Sequence, residues 1–531
     1  MRKHLPKLAA ALAVIAALSV VFGFAGSSSA NRTLVMAIAG TPVDVDPENY
    51  QGLPSNDTYN IFSSMLVRYK PYAADYKQLP GPFSVDGFLA TSWKKVSSGM
   101  EFTLRDAKSQ WGNELNSAAV KWSFERKVAL DPIARFLFAV NNVDQKNPIT
   151  VIDDKRFRMN LLNNAPMLLG SLTHYVMAIV DATEAKKHVT DADPWARNWL
   201  KVNTATFGPY KLEGIQPGQV VYFKANPNWW GKVNIPAVVA RAIPDASARL
   251  QLVQKGQADY TNGLDFQQAK SAASGSDVQV TAGPTPWHDS LIPNVGFKPF
   301  SDVRVREALN HAIDRKALLN TVYAGYGVIP ATQVSSTIPT PVKVPGNLDY
   351  DTAKAKKLLA DAGYASGFEF TLTICPCRPG AYVVPLATAI QSQLSLVGIK
   401  VNINTVATSA QFEADRAKKK YEAWIASLGP VVIDPAYFGF LYFGTTGGQN
   451  FSNFSNPTVD KNIPLAMTTE PGKRRDRFVV NIVKALEAAN PYVPLVETAN
   501  LRLWSKRVSG GLMGEPTFGV NSIYVDRLQI K

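Results

Sequence analysis

Two hydrophobic rhythms divide this chain of 531 residues. Up to about Thr285, short alternating segments punctuated by glycine and proline predominate. "RTLVMAIAG", from Arg32, predicts a buried strand and "TPVDVDPENY" the loop after it. "MEFTLRD" (residues 100–106) alternates as a strand, and "NSAAVKWSFERKVA" places apolar residues at helical spacing behind an N-cap-like Asn116–Ser117 pair. "KRFRMNLL" and "GPYKLEGIQPGQVVYFKANPNWWG" predict strands, the second as a hairpin across "QPGQ". Beyond Thr285, helix and strand alternate. "TAKAKKLLADAGY" predicts an amphipathic helix ended by Gly363, "FEFTLTI" a strand, and "LATAIQSQLSLVG" a helix stopped by Gly398. "IKVNINTV" (strand), "AQFEADRAKKK" (helix) and "YEAWIASLG" (strand) follow. That succession predicts an α/β chain with mixed sheets flanked by helices.

The length exceeds what one hydrophobic core supports, so two lobes are expected. "MRKHLPK" is basic, residues 8–24 are apolar and "AGSSSA" is small and polar, the order of a secretory signal cut after Ala30. An uncleaved anchor is the alternative reading of that apolar run. No cysteine stands beside the cut to carry a lipid, so the mature protein is expected free in the periplasm. Cleavage removes Arg2, Lys3 and Lys7 and lowers the formal charge from +14 to +11. Nucleic acid would need that charge clustered with stacking aromatics, and the nearest run, "RAKKKYEAW", reads as an exposed helix end.

Enzyme signals are weak. There is no glycine-rich phosphate loop and no G-x-S-x-G elbow, and "SWKK" fits S-x-x-K by letters without its K-T-G partner. Cys375 and Cys377 in "TICPCRPG" are a pair of thiols or a small-ring disulfide rather than a metal site, because the five histidines show no paired spacing. No catalytic residue, metal or cofactor is expected.

"PFSDVRVREALNHAIDRKALLNTVYAGYG" (residues 299–327) packs the densest charge. Val305, Ala308, Leu309, Ala312 and Ile313 lie on one helical face, Ser301 or Asp302 can cap the first helix and Asp314 the next, and Arg304–Glu307 is a surface pair. His311 falls between buried positions and reads as packed or surface histidine. This stretch is scaffold.

As scaffold it resembles the signature of the family 5 extracellular solute-binding proteins, the oligopeptide-, dipeptide- and nickel-binding components of ABC importers. "GFLATSWKKVSSGMEFTLRDAKSQWGNELNSAAVKWSFER" is similar to that family's early block, "FGPYKLEGIQPGQVVYFKANPNWWG" to its G-P-Y … N-P-x-Y-W block, and "IDPAYF" to its late Asp-Pro. Ala107, Trp111 and Phe207 depart from the family pattern in ways the fold tolerates. Another departure bears on function. Peptide-binding relatives carry an acid three residues before the late Asp-Pro, pairing with the ligand's free amine. Here, in "SLGPVVIDP", that place is Val431.

The resemblance implies a two-lobed periplasmic-binding-protein fold with a hinge and an extra subdomain in the first lobe. Lobe 1 would take residues 31–285 and 500–531, with the insertion at about 50–200, and lobe 2 residues 286–499. Hinge crossings would fall near 285–294 and 498–504. It implies a monomer that closes over a small molecule (peptide, peptide-like compound, saccharide, or aromatic or anionic solute) and meets an ABC permease and its ATPase, without chemistry. Cleft-facing strand ends nominate Trp287, His288, Arg378, Trp424, Leu428, Gly429, Pro430, Val431, Tyr437 and Phe438 as ligand contacts. Core packing is the alternative for the aromatics and ordinary surface charge for Arg378. The rival functions are an exported hydrolase, or a binding protein serving chemosensing or chaperoning.

Overall fold

The computed structural model describes residues 32–49, 56–72, 84–275, 277–341, 346–514 and 523–531. The signal segment and its cut at Ala30 lie outside the described residues.

The first predicted strand is β1 (Thr33–Ile38), followed by helix α1 (Asn56–Phe62) and the hairpin β2 (Val67–Tyr69) and β3 (Val85–Gly87). A four-stranded sheet in the order β4-β5-β7-β6 follows, built from β4 (Ala90–Val96), β5 (Gly99–Leu104), β6 (Ile149–Val151) and β7 (Arg156–Asn160). Between its halves run α2 (Ser117–Leu130), capped by the Asn116 side chain, and α3 (Pro132–Val140), capped by Asp131 with proline in its first turn. In α2, Arg126 and Lys127 are wholly buried and pair with Asp46 and Glu48, fastening the loop after β1 to this subdomain.

The large sheet then assembles. The expected hairpin is β8 (Tyr210–Gln216) and β9 (Val220–Ala225), and β10 (Ala237–Ala242) joins β9 antiparallel and β1 parallel. Next come β11 (Tyr260–Asn262), the sixteen-residue β12 (Val278–Pro293) and the short β13 (Gly327–Val328). The helix–strand alternation gives β14 (Phe368–Ile374), β15 (Ile399–Thr405) and β16 (Ala423–Leu428), and β17 (Val493–Ser505) returns late in the chain. The path β15-β14-β16-β12-β17-β11-β1-β10-β9-β8 runs unbroken through both halves of the molecule, with β13 against β17. Among the described residues only β12 and β17 serve both halves: β17 pairs with β11 on one side, and β12 pairs with β16 on the other.

The charged stretch at 299–327 forms α4 (Val303–Ala312) and α5 (Arg315–Thr321), capped by Asp302 and Asp314, and the five apolar positions are fully buried. Two details differ from the surface picture. Arg304 pairs with Asp302 rather than Glu307. Arg306 and Arg315 are buried and donate to main-chain carbonyls, Arg306 to Phe300 and Ala489 and Arg315 to Pro494 and Leu348. The guanidiniums tie these helices to the segment entering β17, so their charge serves main-chain acceptors that would otherwise be buried without donors. His311 is buried and its Nδ1 lies 2.8 Å from the Asp349 carbonyl.

Candidate functional site

β12 carries three prolines and a tryptophan, and its pairing with β17 slips between Pro284 and His288. At that bulge Thr285 Oγ1 donates to the Thr498 carbonyl at 2.7 Å, and Thr337 Oγ1 donates to the Thr285 carbonyl at 2.8 Å. A bulge turns the strand and re-aims its side chains, here at the crossing between the two halves.

Trp287, aimed by this bulge, packs against Gly429 just past β16; a Cβ at Gly429 would stand only 2.1–2.4 Å from three indole carbons. Gly429 is held on both sides by Tyr442, whose hydroxyl accepts from Gly429 N and donates to Gly429 O, each at 3.0 Å. Tyr442 belongs to α6 (Pro435–Phe443), which starts at the late Asp-Pro. Asp434 caps that helix through Ala436 N and Tyr437 N, and takes a two-pronged bond from Arg475 at 2.7 and 2.8 Å. Arg475 comes from α7 (Lys473–Ala489), and both side chains are buried. The loop 429–434 is thus fixed at both ends.

Between those ends the loop is apolar. Val431 is partly buried and packs against the core clusters of both halves, as do Val85 and Phe136. Val432 reaches Gly170, where a Cβ would stand 2.9 Å from both Tyr69 Oη and Val432 Cγ1. Phe136 stacks on Phe440 of α6 at 6.3 Å.

The structure brings most of the nominated residues together. Trp287, Gly429, Pro430 and Val431 are contiguous at the crossing. His288 stands in register with Leu428 on one side and Glu497 on the other, 5.5 Å from the Phe438 ring. It is fully buried, neither ring nitrogen has a hydrogen-bond partner among the described residues, and burial pushes the imidazole down to about 3, so it is a neutral polar group. Trp424, Leu428, Tyr437 and Phe438 are all buried in the core cluster on the α6 side. Arg378 stands apart: it is 42% exposed and pairs with Glu413 at 3.3 Å, although its charge reaches the Tyr442 hydroxyl. Cys375 and Cys377 form a disulfide with a Cα–Cα distance of 5.1 Å just before it.

On the other face of β12, Asp289 accepts from Tyr323 at 2.7 Å and Tyr382 at 2.9 Å. Burial raises its carboxyl from 3.8 to about 6, against the pull of these bonds. The folded chain therefore holds this proton more tightly than the unfolded one. The group's contribution to stability is complete below about pH 4 and is lost as pH rises through 6. Asp289→Asn keeps an acceptor for both tyrosines, and is expected to flatten that part of the pH–stability profile in urea titrations from pH 4 to 7.

Sequence spacing missed Tyr442, Arg475, Gly170 and Tyr69. Tyr442, Arg475 and Gly170 meet the loop 429–434 from separate elements, with Tyr69 beside Gly170, and nothing local in the sequence links them.

The model of "Bacterial extracellular solute-binding proteins, family 5 Middle" matches residues 84–450. Glutathione-binding protein GsiB of Salmonella choleraesuis (strain SC-B67) is 26% identical over 499 residues, spanning 91% of this chain and 92% of that protein. GsiB of Escherichia coli (strain K12) is 26% identical over 504 residues, spanning 92% and 93%. Two solved structures share the fold. One is DppA from Helicobacter pylori in complex with peptide STSA (TM-score 0.75, 21% identity, 95% of this chain and 100% of that one). The other is AgaA in complex with agropinic acid from A. tumefaciens R10 (TM-score 0.74, 23% identity, 94% and 99%). With its two-lobed α/β fold and its match over most of the sequence, the chain belongs to the family 5 bacterial extracellular solute-binding proteins, the solute-capturing components of ABC importers.

Proposed function

We propose that this protein closes over a small organic solute at the β12–β17 crossing and hands it to a membrane permease driven by its ATPase, and that the loop before Asp434 holds the solute without clamping a free amine. The observation that carries the reading is Val431. An apolar side chain packed against both halves stands where peptide-binding relatives place an acid, and an ammonium buried there would lack a countercharge. The lobes divide as the resemblance implies, at 285 and 500, and the mature chain acts as a periplasmic monomer cut near Ala30. Trp287, Gly429, Pro430 and Val431 line the solute, with His288 behind them and Arg378 at the rim. Relatives are named for glutathione and others are solved with a peptide or agropinic acid, so ligand chemistry varies within the fold.

Mass spectrometry of solute released from the exported protein identifies the ligand. Titration calorimetry with glutathione and with free and N-acetylated di- and tripeptides tests the amine. Acetylation is expected to change affinity by less than about tenfold. Micromolar binding of free peptides that acetylation abolishes would refute the reading.

A further inference from the structure

The first lobe holds a second set of polar atoms near the same crossing. Asp57, in α1, is fully buried and accepts from Tyr260 Oη and Asn262 Nδ2, both at 2.8 Å and both onto Oδ2, while Oδ1 has no partner among the described residues. Asn262 is the cross-strand neighbour of Arg502 in β17, and Arg502 that of Thr281 in β12, so the three side chains rise from one face of the sheet. Asn500 lies two residues along β17 on the same face, and its Oδ1 is 3.4 Å from Arg502 Nε. The charge of Arg502 acts on Asp57, against the effect of burial. On this face Thr281 Oγ1 and Asn500 Nδ2 are buried without partners. Beside Asp57, both amide atoms of Asn56 and the Thr58 hydroxyl are buried and have no partner among the described residues.

Buried polar atoms are met almost without exception, and each one left open costs stability. Here six stand open among the described residues, one on Asp57 itself, three on its chain neighbours Asn56 and Thr58, and one each on Thr281 and Asn500, and Asn500 is two residues from Thr498, where the halves cross. The open set mixes acceptors (Asp57 Oδ1, Asn56 Oδ1) with donors (the Asn56 and Asn500 amides), and hydroxyls serve as either. A lone ammonium would leave the donors open, and a lone carboxylate would face Asp57. A group that carries an N–H and a C=O side by side satisfies both kinds at once.

We propose that this face of the first lobe is a subsite for an uncharged amide of the solute, its N–H donating to Asp57 Oδ1 and its carbonyl accepting from Asn500 Nδ2. The assignment rests on the solute lying at the crossing, as above, and supplies the polar anchor that Val431 does not. The carboxyl, raised by burial to about 7 without ligand, gains there the donor that favours its charged form.

The test compares N-acetyl amino acid amides with the matching methyl esters, which keep the carbonyl and lose the N–H. Calorimetry on the intact protein is expected to find an amide that binds at least about tenfold more tightly than its ester, the effect of one hydrogen bond to a charged group. Asp57→Leu and Asn500→Ala should each erase that gap, Asn500→Ala serving if the leucine variant does not fold. Amides and esters binding alike, or a gap that survives in Asn500→Ala, overturns the subsite and leaves solute capture standing. A wild type that releases no solute on denaturation and binds no probe overturns both readings.

Discussion

Replacing Arg475 by methionine is expected to destabilise the protein by about 3–5 kcal/mol, the cost of stranding one partner of a buried ion pair. The loss should appear as a lower urea midpoint with an unchanged slope. Asp434 is wholly enclosed, and without Arg475 its carboxylate keeps only the main-chain N–H groups of Ala436 and Tyr437. Arg475 also donates to the Ala466 carbonyl at 2.8 Å, which would be left open as well. Asp434→Asn together with Arg475→Met removes both charges and keeps the helix cap, and should recover much of the loss. If the single and double variants unfold alike, the pair is not what holds this loop.

Gly429→Ala should have the second-largest effect. Its methyl group would overlap the Trp287 indole, so the ring must leave its place or the strand end must shift. Overpacking of this kind costs about 1–3 kcal/mol. Because the ring and the loop form the proposed solute wall, bound solute should fall more steeply than stability does. Trp287→Ala on the Gly429→Ala background makes room for the methyl group. A double-mutant cycle should therefore give a favourable coupling in chemical denaturation, whereas additivity would mean that the contact carries no energy.

Much of the second lobe was legible because its signals are local. Val305, Ala308, Leu309, Ala312 and Ile313 announce a buried helix face, and Gly363 and Gly398 sit at φ +88° and +85° where their helices are predicted to stop. The crossing was less legible. The resemblance placed a hinge crossing near 285–294 but not the strand itself, since "GPTPWHDSLIP" shows no alternation; it pairs on both edges, with ladder bonds around the prolines. The site was half legible: the ends of β12 and β16 pointed to Trp287 and Gly429, but Tyr442, Arg475 and Gly170 come from elements that only the fold brings near. Charge misled most. Arg304 and Glu307 read as a surface pair, yet Arg304 pairs with Asp302, and the neighbouring Arg306 and Arg315 are buried because main-chain carbonyls rather than acids receive them.

The two shared strands also set an order on synthesis. β11 needs β17 beside it, and β17 is among the last strands made. Until it emerges, the first half of the sheet keeps an open edge and the second lacks its return strand, so neither half of the sheet is complete until late in synthesis.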